Sequence, residues 1–382
     1  MKVWTGVTIV VAALAQAAVA NAADARREAF GTMNDGGKPA PVESVVLSNG
    51  HGVSARVLAY GATLQSLVVP GRDGQGADVV LAYPDVAGYQ AHPKYFGATV
   101  GRYANRIKEG RFTLDGKAYQ LATNDGPNAL HGGRQGYDKV LWTITEVKSG
   151  PAASVTLTHT SPDGDEGYPG ALTVQVTYSL DEKNDLTIRY KATTDKPTVL
   201  NLTNHSLFNM AGAASGHTVL EQKLTVAAAN YSPVSPTLIP DGGAKPVEGT
   251  PFDFRTPHLI GERIHDGRDP QLLITQGYDH NYVLDGGVTA EPRLAARFED
   301  PASGRVMEIL TTEPGLQVYS GNFLNGDVAG VGGYIYRQSD GLALEPQHFP
   351  DSPNRPDFPT TRLNPGQTYT QVSIYRFSTT AK

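Results

Sequence analysis

Short runs in which apolar and polar residues alternate recur along the chain, the period of a strand that buries one face. Residues 45–48 lead into Asn49-Gly50, the pair that a two-residue type I′ hairpin prefers, and the apolar and β-branched run 53–69 follows. Residues 112–114, Asp115-Gly116 and residues 118–121 read as a second hairpin. Further strands are expected at 140–146, 154–160, 172–179, 186–190, 305–310, 315–319, 342–344 and 372–377. Past residue 40 no segment sustains apolar residues at a spacing of three and four, so helices should be few. Pro233, Pro236 and Pro240 predict a long ordered loop over residues 231–243. Strands at this spacing, punctuated by Gly, Asp, Asn and Pro, predict an all-β fold, an antiparallel sandwich.

Residues 201–209, Asn-Leu-Thr-Asn-His-Ser-Leu-Phe-Asn, predict a strand with Asn201, Thr203, His205 and Asn209 on one face and Leu202 and Phe208 on the other. Asn204, Ser206 and Leu207 interrupt the pattern. His205 would project from a rigid sheet, which suits a proton donor. It equally suits a polar strand face that is simply wet.

The N-terminus departs from this pattern. Lys2 precedes an uncharged, Ala- and Val-rich run at residues 3–19, and Ala20-Asn21-Ala22 supplies a small-x-small cleavage site, so residues 1–22 read as a secretory signal peptide. The run is short for a bilayer span and lacks a basic stop, so no membrane anchor is expected after cleavage, and the product is expected to be periplasmic or secreted. The charged segment that follows predicts a flexible leader over residues 23–40, with a single β-sandwich domain at 41–382. The 382-residue chain contains no cysteine, which excludes thiol nucleophiles, Cys-ligated metals and disulfides. An exported protein of this kind must rely on a large buried core. A formal net charge of -6, with no basic stripe, argues against nucleic acid as a partner.

Polar residues cluster in several places. Residues 101–107, Gly-Arg-Tyr-Ala-Asn-Arg-Ile, carry two guanidinium groups and an amide. Such groups hold paired oxygens of a carboxylate, phosphate or sugar, or pair with acids on a sandwich rim. Residues 124–133 bend around His131, which either bonds a small polar ligand or ties the loop together. Asp279 stands beside His280, and Gln317 lies in the predicted strand 315–319. Glu345 closes an apolar run just before Pro346, so it is expected at a strand terminus, where burial would tune its basicity and where lone acids are more commonly solvated. Histidines at the i, i+4 spacing of a helical metal site do not occur, and no metal is predicted. A Gly-x-Ser-x-Gly elbow is also missing, which argues against an ordinary esterase.

Taken in order, these clusters resemble the aldose 1-epimerase (galactose mutarotase) family. The resemblance rests on residues 101–107, 124–133, 201–209, 277–281, 315–322 and 342–353, with residues 165–172 as further support, and it spans nearly the whole chain beyond the leader. It implies an antiparallel β-supersandwich that interconverts the α and β anomers of free aldohexoses such as glucose and galactose, with no cofactor. It implies His205 as general acid and Glu345 as general base, with Asn105, Arg106, His131, Asp279 and Gln317 lining the sugar site. Leu207 stands where many relatives place an aromatic residue, which bears on substrate choice rather than on chemistry. A small-molecule aldose is the expected partner, and a monomer or weak homodimer the expected state. Two other readings remain open: a glycosidase using Glu345 and Asp279 as a carboxylate pair, and a non-catalytic sugar-binding protein on the same sandwich.

Overall fold

The computed structural model describes Met1 and residues 23–381, so residues 2–22 of the expected signal peptide lie outside the described residues. Alternation builds the widest sheet. In Leu172–Asp181 the side chains of Leu172, Val174, Val176, Tyr178 and Leu180 are fully buried, and those between them are not. The antiparallel neighbour Asp185–Thr194 repeats this with Leu186, Ile188, Tyr190 and Ala192. Each buried aliphatic side chain contributes about 1.5–3 kcal/mol. These strands belong to a nine-stranded sheet ordered Thr143–Lys148, Ala152–Ser161, Leu172–Asp181, Asp185–Thr194, Tyr369–Thr379, Arg305–Thr311, Arg293–Glu299, Lys223–Val226 and His258–Leu259. The strand Tyr369–Thr379 is interior, hydrogen-bonded on both sides, and joins Asp185–Thr194 to Arg305–Thr311.

A six-stranded sheet, ordered Leu207–Phe208, Leu342–Gln347, Gly315–Tyr319, Asp279–Val283, Asn230–Ser232 and Lys245–Pro246, positions the site. Its two faces differ. Phe208, Leu316, Val318, Leu342 and Leu344 join the main core with Tyr178 and Tyr375. Leu207, Ala343 and Tyr319 face a smaller apolar cluster with Phe96 and Leu324. Glu345 lies two residues beyond Ala343 and therefore on that second face. The architecture is an all-β antiparallel supersandwich, with two short α-helices, Val86–Ala91 and Pro270–Thr275, among the described residues.

Turn chemistry explains one hairpin and corrects another. Asp115 and Gly116 take φ of 52° and 75°, as a type I′ turn requires, and join Arg111–Leu114 to Lys117–Gln120. Asn49-Gly50 does not make a two-residue turn. Ser48 pairs with Ser54, and Asn49 Oδ1 accepts from the N–H groups of His51 and Val53, each at 3.1 Å, closing a wider loop.

The expected flexible leader is also corrected. Asp24–Asp35 is a strand that pairs with Lys38–Ser48 around Gly36-Gly37, at the edge of a five-stranded sheet. Most of its side chains are exposed, while Ala23 and Met33 are buried. An edge strand is held chiefly by its backbone ladder, so its charged composition concealed it.

Candidate active site

Residues 201–209 do not form one strand with a wet face. Thr203–Asn204 and Leu207–Phe208 are separate short strands, and His205 and Ser206 lie between them. Every residue from 201 to 209 is buried. Burial demands partners for the polar groups: Thr203 Oγ1 donates to Pro346 O at 3.0 Å, Asn204 Nδ2 to Gly97 O at 2.9 Å and Ser206 Oγ to Asn204 Oδ1 at 2.6 Å. The His205 N–H donates to Ala98 O at 2.9 Å, and its carbonyl accepts from Gly97 at 3.0 Å. These bonds fix the backbone that carries the imidazole.

Glu345 is not at a strand terminus. The strand Leu342–Gln347 continues through Pro346, and Glu345 pairs with Gln317 on Gly315–Tyr319. Its Oε1 lies 3.8 Å from His205 Nε2, with side-chain exposures of 2% and 8%. That separation is too long for a hydrogen bond and leaves both groups free to meet a ligand. Burial holds the His205 imidazole down to about 4. Burial pushes Glu345 well above the ordinary carboxylate range, the nearby Asp279 adds to this and Arg106 opposes it. Both groups are therefore driven toward their neutral forms.

The pair lies in a hollow of about 710 Å³, its open mouth included. Asn105, Arg106, His131 and Asp279 line it with His205 and Glu345. Arg106–Ile107 pairs with Ala129–Leu130, which brings the first two polar clusters together. The Asn105 N–H donates to His131 Nδ1 at 3.1 Å, so the ring proton sits on Nε2. Burial lowers the His131 pKa well below its ordinary value, with His205, Arg106 and Lys139 adding to the effect. His131 is thus a neutral donor. Arg106 Nε donates to Asp125 Oδ2 at 2.7 Å, and among the described residues its terminal nitrogens find no hydrogen-bond partner. Burial raises the Asp279 pKa, opposed by Arg106 and by a 2.6 Å hydrogen bond from Gln317 Nε2.

Gln317 is placed differently from the other expected residues. It does not line the hollow but sits behind its wall, orienting Asp279. Conversely, Lys94, Tyr95, Phe96, Tyr319 and Phe323 line it and were not singled out from the sequence. Tyr319 could have been found, since it lies two residues from Gln317 in one strand. The rings of Tyr95 and His131 are 4.6 Å apart, and those of His131 and His205 meet edge-on at 5.1 Å. Tyr95, Asn105 and His131 have φ of 61°, 61° and 51°, left-handed conformations that cost non-glycine residues energy and gather at functional sites. Among the described residues no group of three or more His, Asp or Glu side chains is placed to hold a metal ion.

The aldose 1-epimerase family profile matches residues 43–376. The chain belongs to the aldose 1-epimerase family. Over 352 residues it is 44% identical to the galactose mutarotase of Mus musculus, covering 92% of this chain and 98% of that one. It is 38% identical over 339 residues to the aldose 1-epimerase of Escherichia coli K12, covering 88% and 95%. The crystal structure of an aldose epimerase homologue from C. elegans superposes with a TM-score of 0.79 at 33% identity, covering 87% of this chain and 97% of that one. The supersandwich described above is thus the fold of the aldose 1-epimerase family.

Proposed function

We propose that the protein is an aldose 1-epimerase, an isomerase that interconverts the α and β anomers of free aldoses, with Glu345 as base and His205 as acid. O1 and the ring oxygen O5 are both bonded to C1. The group that takes the O1 proton and the group that protonates O5 must therefore converge on nearly one point. The observation that carries this reading is the 3.8 Å separation of His205 Nε2 and Glu345 Oε1 across the hollow. Relatives named galactose mutarotase and aldose 1-epimerase support the same activity.

In the opening step Glu345 accepts the O1 proton, the C1–O1 bond becomes a carbonyl and the C1–O5 bond breaks. O5 keeps the bonding electron pair and takes the proton from His205 Nε2. Rotation about C1–C2 presents the other aldehyde face, and the reversed transfers close the ring as the other anomer. The pair holds one proton throughout: it is an ion pair before opening and a neutral acid beside a neutral imidazole after it. Burial favours the second arrangement, and Arg106 favours ionised Glu345. His131 Nε2–H and the free end of Arg106 donate to sugar oxygens, and Asp279, steadied by Gln317, accepts from a hydroxyl. Only the C1 end then turns over.

The glycosidase reading is not favoured. A hydrolase sets two carboxylates about 5 Å or 6.5–9.5 Å apart astride the anomeric carbon, whereas the group facing Glu345 here is an imidazole. We place the enzyme outside the cytoplasm on the apolar run at residues 3–19 and the Ala20-Asn21-Ala22 triplet, and the N-terminus of the exported protein, read by mass spectrometry, tests that placement. Polarimetry of freshly dissolved α-D-glucose and α-D-galactose tests the activity. Enzyme-dependent acceleration of the drift in rotation is expected. Release of reducing ends from an oligosaccharide without that acceleration would assign the site to hydrolysis.

A further inference from the structure

The proton exchange above uses one oxygen of Glu345. The other, Oε2, is buried and has no hydrogen-bond partner among the described residues. It is not alone. In the six-stranded sheet Asn281 pairs with Gln317 and Gln317 with Glu345, so the three side chains form one row on the face of the hollow. The next row on that face contains Gly315 and, directly opposite it, Gln347. Asn281, Gln317 and Gln347 are 2%, 3% and 0% exposed, yet Asn281 Oδ1, Gln317 Oε1 and both amide atoms of Gln347 also lack partners among the described residues. Each buried polar group left unbonded costs about 1–3 kcal/mol, so such atoms rarely gather without something between them.

Gly315 sets how closely these groups approach the sheet. A Cβ there would collide with Asn281 Oδ1 and come within 2.9 Å of Phe349 and 3.0 Å of Gln347 O. Its φ is unexceptional, so the glycine is required by room rather than by backbone conformation. Several unbonded donors and acceptors gathered on one buried face are what a bound water satisfies.

We propose that Gln347 and Asn281 are positioning residues that hold water between their side chains and, through it, donate a hydrogen bond to Glu345 Oε2. The inference rests on Glu345 being the base. A donor on Oε2 aims Oε1 at the sugar and stabilises the carboxylate against the dry surroundings, so the ion-pair form that starts ring opening is more populated.

Gln347→Met, which keeps length and removes the amide, and Gly315→Ala, whose Cβ would displace the Asn281 amide, test this with Glu345→Gln as control. Gln347→Met is expected to lower kcat about tenfold with KM within about twofold, and to move the basic limb of the pH profile up by about one unit, the shift that matches a tenfold loss of ionised base. Gly315→Ala is expected to shift the limb in the same direction, and Gln347→Asn to restore part of the loss. Folded Gln347→Met enzyme with wild-type kcat and pH profile, beside an inactive Glu345→Gln, would overturn the water cradle alone. An active Glu345→Gln would overturn the base. If the variants do not fold, a high-resolution crystal structure of the wild-type enzyme decides: water bridging Gln347 and Glu345 Oε2 supports the proposal, and its absence from clear density refutes it.

Discussion

Two buried histidine–glutamate pairs each draw one member from the stretch Glu345 to His348, and their difference shows what a site requires. His348 and Glu313 are hydrogen-bonded, Nδ1 to Oε2, at 2.6 Å, with side chains 10% and 2% exposed. The His348 N–H also donates to Asn201 Oδ1 at 2.9 Å, whose amide donates back to His348 O at 3.1 Å. His205 and Glu345 are equally buried but stand 3.8 Å apart, with His205 Nδ1 and Glu345 Oε2 unpartnered among the described residues. The first pair has directed its hydrogen-bonding capacity into the protein. The second keeps its capacity for a ligand, at a cost in stability that the surrounding sheet must offset.

Breaking each pair should separate the two roles. Glu345→Gln and His205→Asn are each expected to lower kcat for mutarotation by about 1,000-fold while leaving the fold intact. Glu313→Gln or His348→Asn should do the opposite. Urea denaturation should show a loss of about 1–3 kcal/mol, with kcat per folded molecule within about twofold of wild type. Equal damage to activity from both pairs would erase the distinction.

Two smaller effects sharpen it. The catalytic pair works while it holds one proton, so activity should disappear at low pH only when the buried imidazole gains a second. With His205 held down to about 4, the acid limb of kcat/KM should be centred near 4, and a limb near the ordinary 6.5 would contradict the burial argument. The last effect is on stability. Because the folded pKa of Glu345 is raised, its stabilising contribution is complete below the unfolded value of about 4.5 and is lost as pH rises through the folded value. Glu345→Gln does not titrate there. It should melt about 2 °C above wild type near neutral pH, and differential scanning calorimetry should show that gain vanishing below pH about 4.5.

Much of this was legible from the sequence, and what was missed has physical reasons. Apolar strands announced themselves: Gly315–Tyr319, buried on both faces, has the expected bounds, and Leu172–Asp181, buried on one, extends the expected run by two residues. Asp24–Asp35 did not, because an exposed edge strand is held by backbone pairing, which leaves no mark on apolar spacing. Glu345 was expected at a strand end because Pro346 follows it, yet here the proline sits inside the strand and its carbonyl accepts from Thr203 and Gln371. The polar residues of the hollow were named from the order of their motifs, but depth was not readable. Gln317 shares a face with the lining residues and still lies behind Asp279. Tyr95 and Phe323 come from irregular segments in which no periodicity points inward.

The central claim is that residues 205 and 345 exchange protons with the sugar as one unit. The most direct measurement is the polarimetric rate on fresh α-D-galactose for His205→Asn, Glu345→Gln and the double variant. Groups that act as a unit are not additive, so the double variant should be about as slow as either single one. Losses that multiply, or a single variant with wild-type rate, would contradict the account.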